Sequence, residues 1–297
     1  MPGADNALLR ETIIGAMRAF MESPANDLHM PTGPERAFEM PLFGVAAGDD
    51  PIWEAYKTHV GDFHWTPADA FALAHPKERV SPAELRVIVW ILPQTAQTRK
   101  DQRTAARAPE KDRLPSRRWA HSRVIGEVDV NEGLRHRLVE FLRGEGIQAI
   151  APALLPEWRR VTSDRFTFAS FWSERHAAYA AGLGTFGLCD GLITPAGKAI
   201  RVGSVIARCA LAPDARPYAA PREYCLYFSS GACGKCIDRC PAGALSFERH
   251  DKRRCEAFVK SPKVMGRLKE AWGLDGYACG LCQVGVPCEA GIPLEPK

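Results

Sequence analysis

The chain has 297 residues, 46% hydrophobic and 25% charged, with a formal net charge of +4. No apolar run approaches the ~18 residues of a membrane span, and Arg10, Glu11 and Arg18 interrupt the N-terminal apolar residues, so neither a membrane segment nor a secretory leader is expected. So small a cationic excess does not force nucleic-acid binding, while ten cysteines in a chain read as cytoplasmic point to metal ligands or reactive thiols before disulfides.

In chain order, Leu9, Ile13, Met17 and Phe20 form one stripe of an amphipathic helix. Residues 24–48, with their prolines and glycines, read as irregular. Residues 87–92 are an unbroken apolar run ending at Pro93, a buried central strand. Residues 97–118 carry eight basic and three acidic side chains, net +5, leaving −1 for the rest. They read as a solvated surface loop or, alternatively, as a basic lip for an anionic ligand. A helix capped by Asn131 follows, with Leu134, Leu138, Phe141 and Leu142 as its stripe and Gly144 or Gly146 as its end. Residues 147–155 suggest a short strand. Ser173 caps a helix over 174–181, and residues 192–194 and 200–206 flank Pro195-Ala196-Gly197 as a hairpin. Strands and helices alternate without a βαβ repeat, so the expected class is α+β.

Residues 182–187 (Gly182, Leu183, Gly184, Thr185, Phe186, Gly187) match G-x-G-x-x-G. The dinucleotide reading needs a strand before this loop and a helix after it, and here the order is reversed. Two readings stay open. The glycines let a flat ligand approach the backbone, or they cap a helix and close a turn.

The first 188 residues hold no cysteine, and eight of the ten lie between Cys225 and Cys288. Cys233, Cys236, Cys240 and Pro241 spell C-x2-C-x3-C-P, the tail of the bacterial ferredoxin run that wraps a [4Fe–4S] cluster. Ser230 stands where the first ferredoxin cysteine belongs, and Cys225 can replace it if residues 226–232 loop out. By the ferredoxin exchange rule, Cys225, Cys233, Cys236 and Cys288 serve one cluster and Cys240, Cys255, Cys279 and Cys282 the other. Zinc is the competing metal, since C-x2-C pairs also build tetrahedral sites. Cys189 and Cys209 read as ordinary semi-buried thiols.

The run Ser173-Glu174-Arg175-His176-Ala177-Ala178-Tyr179-Ala180-Ala181 leading into the glycine loop, then a hairpin, then a two-cluster cysteine module, resembles the epoxyqueuosine reductase family, itself related to the corrinoid-dependent reductive dehalogenases. The resemblance covers roughly residues 80–290. It implies a nitroreductase-like body holding base-off cobalamin, with residues 182–187 and the hairpin lining the corrinoid pocket and two clusters passing electrons to the cobalt. Flavin is the natural competitor for that pocket. The expected division is an N-terminal helical and irregular segment (1–80), the corrinoid-binding body (81–215) and a ferredoxin-like module (216–297).

Three features depart from the family. Its members continue into helical repeats that grip tRNA, its catalytic carboxylate sits in a G-R-D-Y-H segment that residues 126–132 do not match, and reductive dehalogenases carry a twin-arginine leader. The expectation is therefore a cytoplasmic cobalamin-dependent reductase of a small or unidentified substrate, fed by a flavodoxin or ferredoxin, with no specific tRNA binding and no membrane. The alternatives are an epoxyqueuosine reductase acting on tRNA, or a non-catalytic corrinoid-binding or electron-transfer protein. His176 and Tyr179 share a helix face and are candidate acid–base groups, with core packing as the plainer reading. Asp129 and Glu132 are candidate acids by position, or else serve the start of the next helix.

Overall fold

The computed structural model describes residues 2–109 and 112–293. In chain order its helices are α1 (Pro2–Glu22), α2 (Ile52–Val60), α3 (Pro67–Ala74), α4 (Ala96–Ala106), α5 (Arg117–Ile125), α6 (Gly133–Gly144), α7 (Glu174–Ala180), α8 (Leu226–Ser230), α9 (Lys235–Asp238), α10 (Lys252–Val259) and α11 (Pro262–Trp272). Its strands are β1 (Leu42–Ala47), β2 (Leu85–Pro93), β3 (Ala149–Ile150), β4 (Arg160–Val161), β5 (Ala169–Ser170), β6 (Thr185–Phe186), β7 (Leu192–Ile193) and β8 (Ile200–Arg208). Among the described residues no helix is long and apolar enough to cross a membrane.

The centre is an antiparallel sheet in the order β1-β2-β8-β3. On one face Ile88, Trp90 and Leu92 join Val205 and Ala207 and meet Ile13 and Met17 of α1 and Leu134 and Leu138 of α6. On the other, Val87, Val89, Ile91 and Ile206 meet Trp53 of α2, Phe71 of α3 and Ala177 and Ala178 of α7. Helices cover both faces of β2, so both alternating sets of side chains are buried, and that is why its sequence reads as one apolar run. Each fully buried aliphatic side chain contributes about 1.5–3 kcal/mol. The architecture is mixed α/β, and α1, β1, α2 and α3, all before residue 81, supply part of the sheet and of both its layers.

Several local expectations are corrected. The irregular stretch 24–48 contains β1, whose register with β2 (Val45 opposite Ile88) makes it an edge of the central sheet. Asn131 is no cap: it lies in a π-helical turn (Gly126–Glu132) with its side chain buried, accepting from Trp90 Nε1 at 2.9 Å and donating to Val202 O at 3.0 Å. Of 147–155 only Ala149–Ile150 is strand, because Pro152 begins a 3₁₀ turn (Pro152–Leu154). The expected hairpin has its turn, with Thr194 and Gly197 bridged, but its arms part. β7 pairs with β6, while β8 enters the central sheet. The arms diverge because Lys198 N and Ala199 N donate instead to Cys288 O (2.9 Å) and Glu289 O (3.3 Å).

The basic run is also not a loop at its start. Residues 96–106 are α4, capped by Thr95, with Thr98, Gln102 and Ala106 buried. It packs on the cysteine-rich segment: Gln102 Nε2 donates to Cys279 O at 2.6 Å, Arg103 pairs with Glu289, and Arg113 Nη1 donates to Asp238 O at 3.0 Å. Glu110 and Lys111 of the run lie outside the described residues. A third apolar cluster completes this contact, joining Trp119 of α5, Val264 and Leu268 of α11, and Ala278, Leu281 and Val284. Gly280, at φ +68°, sits directly under the Trp119 ring, where a Cβ would come within 2.2 Å, so the second C-x2-C pair is pinned to α5 through a residue only glycine can be.

Candidate functional site

Cys225, Cys233, Cys236 and Cys288 wall one cavity, with Leu188, Ile193 and Val286 as its apolar lining and Lys198 reaching in. Cys225 precedes α8 and Cys236 lies in α9, and Cys288 is held by the backbone bonds to 198–199 described above. Ser230 is engaged elsewhere: its Oγ donates to Leu226 O at 3.0 Å within α8.

Lys198 is 3% exposed and has no carboxylate partner among the described residues. Its Nζ donates to Cys189 Sγ at 3.4 Å and also reaches Cys288. Burial opposes its charge, yet the sulfurs of Cys189, Cys288, Cys282 and Cys236 outweigh that and hold its pKa above the ordinary lysine value. An uncompensated buried ammonium costs several kcal/mol. The donor chemistry here, four thiols about one cavity beside such a cation, fits an anionic iron–sulfur cluster. Among the described residues no three His, Cys, Asp or Glu donors converge closely enough to hold a single ion.

Cys279, whose pKa is raised by burial and then by Cys255 and Cys240, marks a second group with those two cysteines. Cys282, next in the second C-x2-C pair, turns its thiol toward Cys189. Cys189 is therefore not an ordinary buried thiol. Hydrogen bonds from Cys236 and Cys282 lower its pKa, with Lys198 adding to the effect, so it sits between the two groups. Cys209 is half-buried at the edge of the body core and its pKa is raised by burial, as expected of a bystander. Beside the second group, His250 Nδ1 and Asp190 Oδ2 are 3.2 Å apart, and His250 also bonds Cys255. Despite burial, those two bonds push His250 up to about 9. Cys189, Lys198, Asp190 and His250 had no motif to announce them.

In the body, His176 is enclosed by Tyr56 (ring centroids 4.7 Å), Phe186 (5.1 Å), His64 (5.7 Å) and His59 (6.3 Å). Its Nδ1 lies 2.8 Å from Ser173 Oγ, so Ser173 serves this ring rather than capping α7. Burial first, then the neighbouring His64 and His59, push His176 down to about 3, leaving it neutral near pH 7. Tyr179 stacks toward Tyr218 (5.0 Å) and Phe186 (5.9 Å), its pKa raised by burial. The structure thus brings His176, Tyr179 and Phe186 together. Asp129 instead faces His29 at 3.6 Å, and no described contact joins it or Glu132 to His176 or Tyr179.

The glycines of 182–187 are spoken for by the chain itself. Gly182 (φ +76°) ends α7, its N–H donating to Tyr179 O, and a Cβ there would meet Ala215 O at 2.5 Å. A Cβ on Gly184 would meet Ile193 O of β7 at 2.2 Å. Of the two readings left open, the helix cap and tight packing account for these positions. Neither glycine presents an open cradle for a corrinoid.

Beneath α7 lies a buried charge network. Glu174 accepts from Ser204 Oγ at 2.5 Å and Arg135 Nη2 at 3.1 Å, and burial raises its pKa against these partners. Glu127, from the π-helical turn, faces Arg135 (3.6 Å) and Arg201 (3.7 Å). The Nε and Nη2 of Arg201 are buried without hydrogen-bond partners, which is the chemistry of a place where an acceptor oxygen fits.

No protein-family profile matches the chain. Over 126 residues it is 33% identical to the epoxyqueuosine reductases of Bacillus cereus and Bacillus anthracis, a stretch covering 40% of this chain and 30% of each relative. Among solved structures, an epoxyqueuosine reductase bound to an epoxyqueuosine-modified tRNA stem loop is 19% identical, with a TM-score of 0.49 over 97% of this chain and 67% of that one. A reductive dehalogenase discussed for B12-dependent dehalogenation is 16% identical, with a TM-score of 0.48 over 86% and 30%. Both likenesses are distant. The first of those structures holds a tRNA stem loop, whereas no tRNA partner is expected for this chain. Over the matched 126 residues the chain is a homologue of the epoxyqueuosine reductases.

Proposed function

We propose that the chain is an iron–sulfur oxidoreductase of the epoxyqueuosine-reductase type. In this reading residues 216–297 would hold two [4Fe–4S] clusters as a source of electrons, and the body at 81–215 would hold the small-molecule substrate to be reduced. The supporting observation is the cavity walled by Cys225, Cys233, Cys236 and Cys288 beside the buried, carboxylate-free Lys198. When bound, each cluster supplies one-electron storage. Cys225, Cys233, Cys236 and Cys288 hold the first, and Lys198 offsets its negative charge. Leu188, Ile193 and Val286 keep water from it. Cys240, Cys255, Cys279 and Cys282 would hold the second, Cys282 being turned toward Cys189 in this structure. In the body, neutral His176 has no proton to give from an imidazolium near pH 7, whereas Tyr179 keeps its phenolic proton and is the donor in this reading.

The resemblance adds base-off cobalamin as the electron acceptor in the body, with flavin as its competitor. Gly182 and Gly184 do not fit that role, so no step is derived through a corrinoid. A second reading, reduction of epoxyqueuosine in tRNA, is favoured by the named activity of the 33%-identical relatives. Turnover of epoxyqueuosine-containing tRNA separates the two.

The deciding experiment is anaerobic reconstitution with iron and sulfide. The expected result is about eight iron and eight acid-labile sulfide per chain, two four-cysteine sets. Cys225→Ala should lose about half of both and Ser230→Ala none. Tight zinc without sulfide would overturn the reading.

A further inference from the structure

The basic run that the proposed chemistry leaves unused lies against the first thiol cavity. Arg107, Arg113, Lys235 and Arg239 line an open groove together with Asp238 and Glu289. The two carboxylates are already matched: Asp238 pairs with Lys235 at 3.8 Å, and Glu289 takes Arg103 and, at 3.8 Å, Arg99. The remaining cations are not. Arg113 bonds the carbonyls of Ala108 (2.9 Å) and Asp238 (3.0 Å), Arg239 the carbonyl of Gly285 (3.3 Å), and Arg107 is exposed. Three guanidiniums without carboxylate partners among the described residues thus converge on one groove.

The floor of that groove is the wall of the cavity. Lys235 immediately precedes Cys236, and Glu289 immediately follows Cys288, one Cα step of about 3.8 Å each. Val286 and Pro287 line both the groove and the cavity, so a carrier docked in the groove rests on the cavity's wall.

We propose that this groove is the docking surface for an acidic one-electron carrier protein that reduces the first cluster. The inference rests on the iron–sulfur reading and adds its partner and point of entry. The reduced carrier loses one electron and the receiving cluster gains one. No bond is made or broken and no proton moves, and two deliveries serve a two-electron reduction. A carboxylate-rich carrier face complements the arginine surplus, which steers encounter and aligns the two redox centres. An RNA backbone would satisfy the same charges but has no electron to deliver through the floor.

The test uses the reconstituted full chain and a plant-type [2Fe–2S] ferredoxin as probe, with cluster bleaching followed by anaerobic stopped flow. Arg107→Glu/Arg239→Glu should slow ferredoxin-driven reduction tenfold or more at low ionic strength and flatten its salt dependence. Reduction by dithionite, iron and sulfide content, and the behaviour of Arg137→Glu on α6 should match the unmodified chain. Arg107→Gln, which removes one exposed charge without reversal, should give a smaller loss of the same kind. An unchanged ferredoxin rate in the double variant overturns the docking proposal. So does binding of a tRNA stem loop that is lost in the double variant while the ferredoxin rate stays normal. An unmodified chain that takes up no iron and sulfide would instead sink the iron–sulfur reading.

Discussion

The body and the cysteine-rich module are held together by different means. The body encloses a four-stranded sheet between two apolar layers, with Trp90, Ile88, Ile91, Phe71 and Ile13 fully buried. In the module, the buried residues about the first cavity include Cys189, Cys225, Cys236 and Cys288, and α10 has no buried residue at all. One region is closed by hydrocarbon alone, the other by the apolar cluster about Val264 and Leu268 together with sulfur around a cation. A core of thiols is worth little as hydrophobic burial and much as a ligand set, so on the proposed iron–sulfur reading the module's stability is linked to its metal while the body's is not.

Removing the metal should break the pair apart most visibly. Anaerobic chelation of the reconstituted chain is expected to raise amide exchange across 225–260 by orders of magnitude while α1, β2 and α6 stay protected. Equal loss in both regions would mean that the body also depends on the clusters. The converse variant, Trp90→Ala, should cost the body about 3–5 kcal/mol in denaturant unfolding, since it empties a fully buried site and strips Asn131 Oδ1 of its donor. Below the transition, iron content should not change. Gly184→Val should destabilise the body by about 1–3 kcal/mol, because the new side chain meets the β7 backbone. A stable variant that merely loses ligand affinity would restore the open-loop reading.

His176 adds a pH dependence to the body's stability. The folded pKa of His176, about 3, lies below the ordinary 6.5, so the unfolded chain binds more protons between those values. Its contribution is complete above about pH 6.5 and declines as pH falls toward 3. Stability measured from pH 7 to 4 should fall less steeply in His176→Asn than in the unmodified chain, and equal slopes would place the ring in water.

The contrast also governs what could be read beforehand. Cys233 and Cys236 of the first cavity were legible because ligand spacing is local: with Cys240 they declare themselves within eight residues, whereas Cys288 lies about fifty residues on. β2 was legible because burial on both faces leaves an unbroken apolar run. The failures are long-range. Nothing near residue 198 signals that its amine lies among cysteines forty and ninety residues away, or that its backbone leaves a hairpin to pair with 288. α4 was hidden because its buried face is Thr98, Gln102 and Ala106, which carry no hydrophobic period. The glycine loop matched a ligand motif, but its glycines answer to Tyr179, Ala215 and Ile193.

The attachment of Cys288 to residue 198 sets an order in time. On the proposed ligand set, Cys225, Cys233 and Cys236 leave the ribosome about fifty residues ahead of Cys288, roughly 3–10 s at ordinary rates of synthesis. The second set closes first, with Cys282. Ribosome-bound chains extended at the C-terminus so that 282 but not 288 has emerged should hold about four iron rather than eight. The first cluster is the later one to be finished, and its last ligand arrives on a segment that already-folded β8 is waiting to receive.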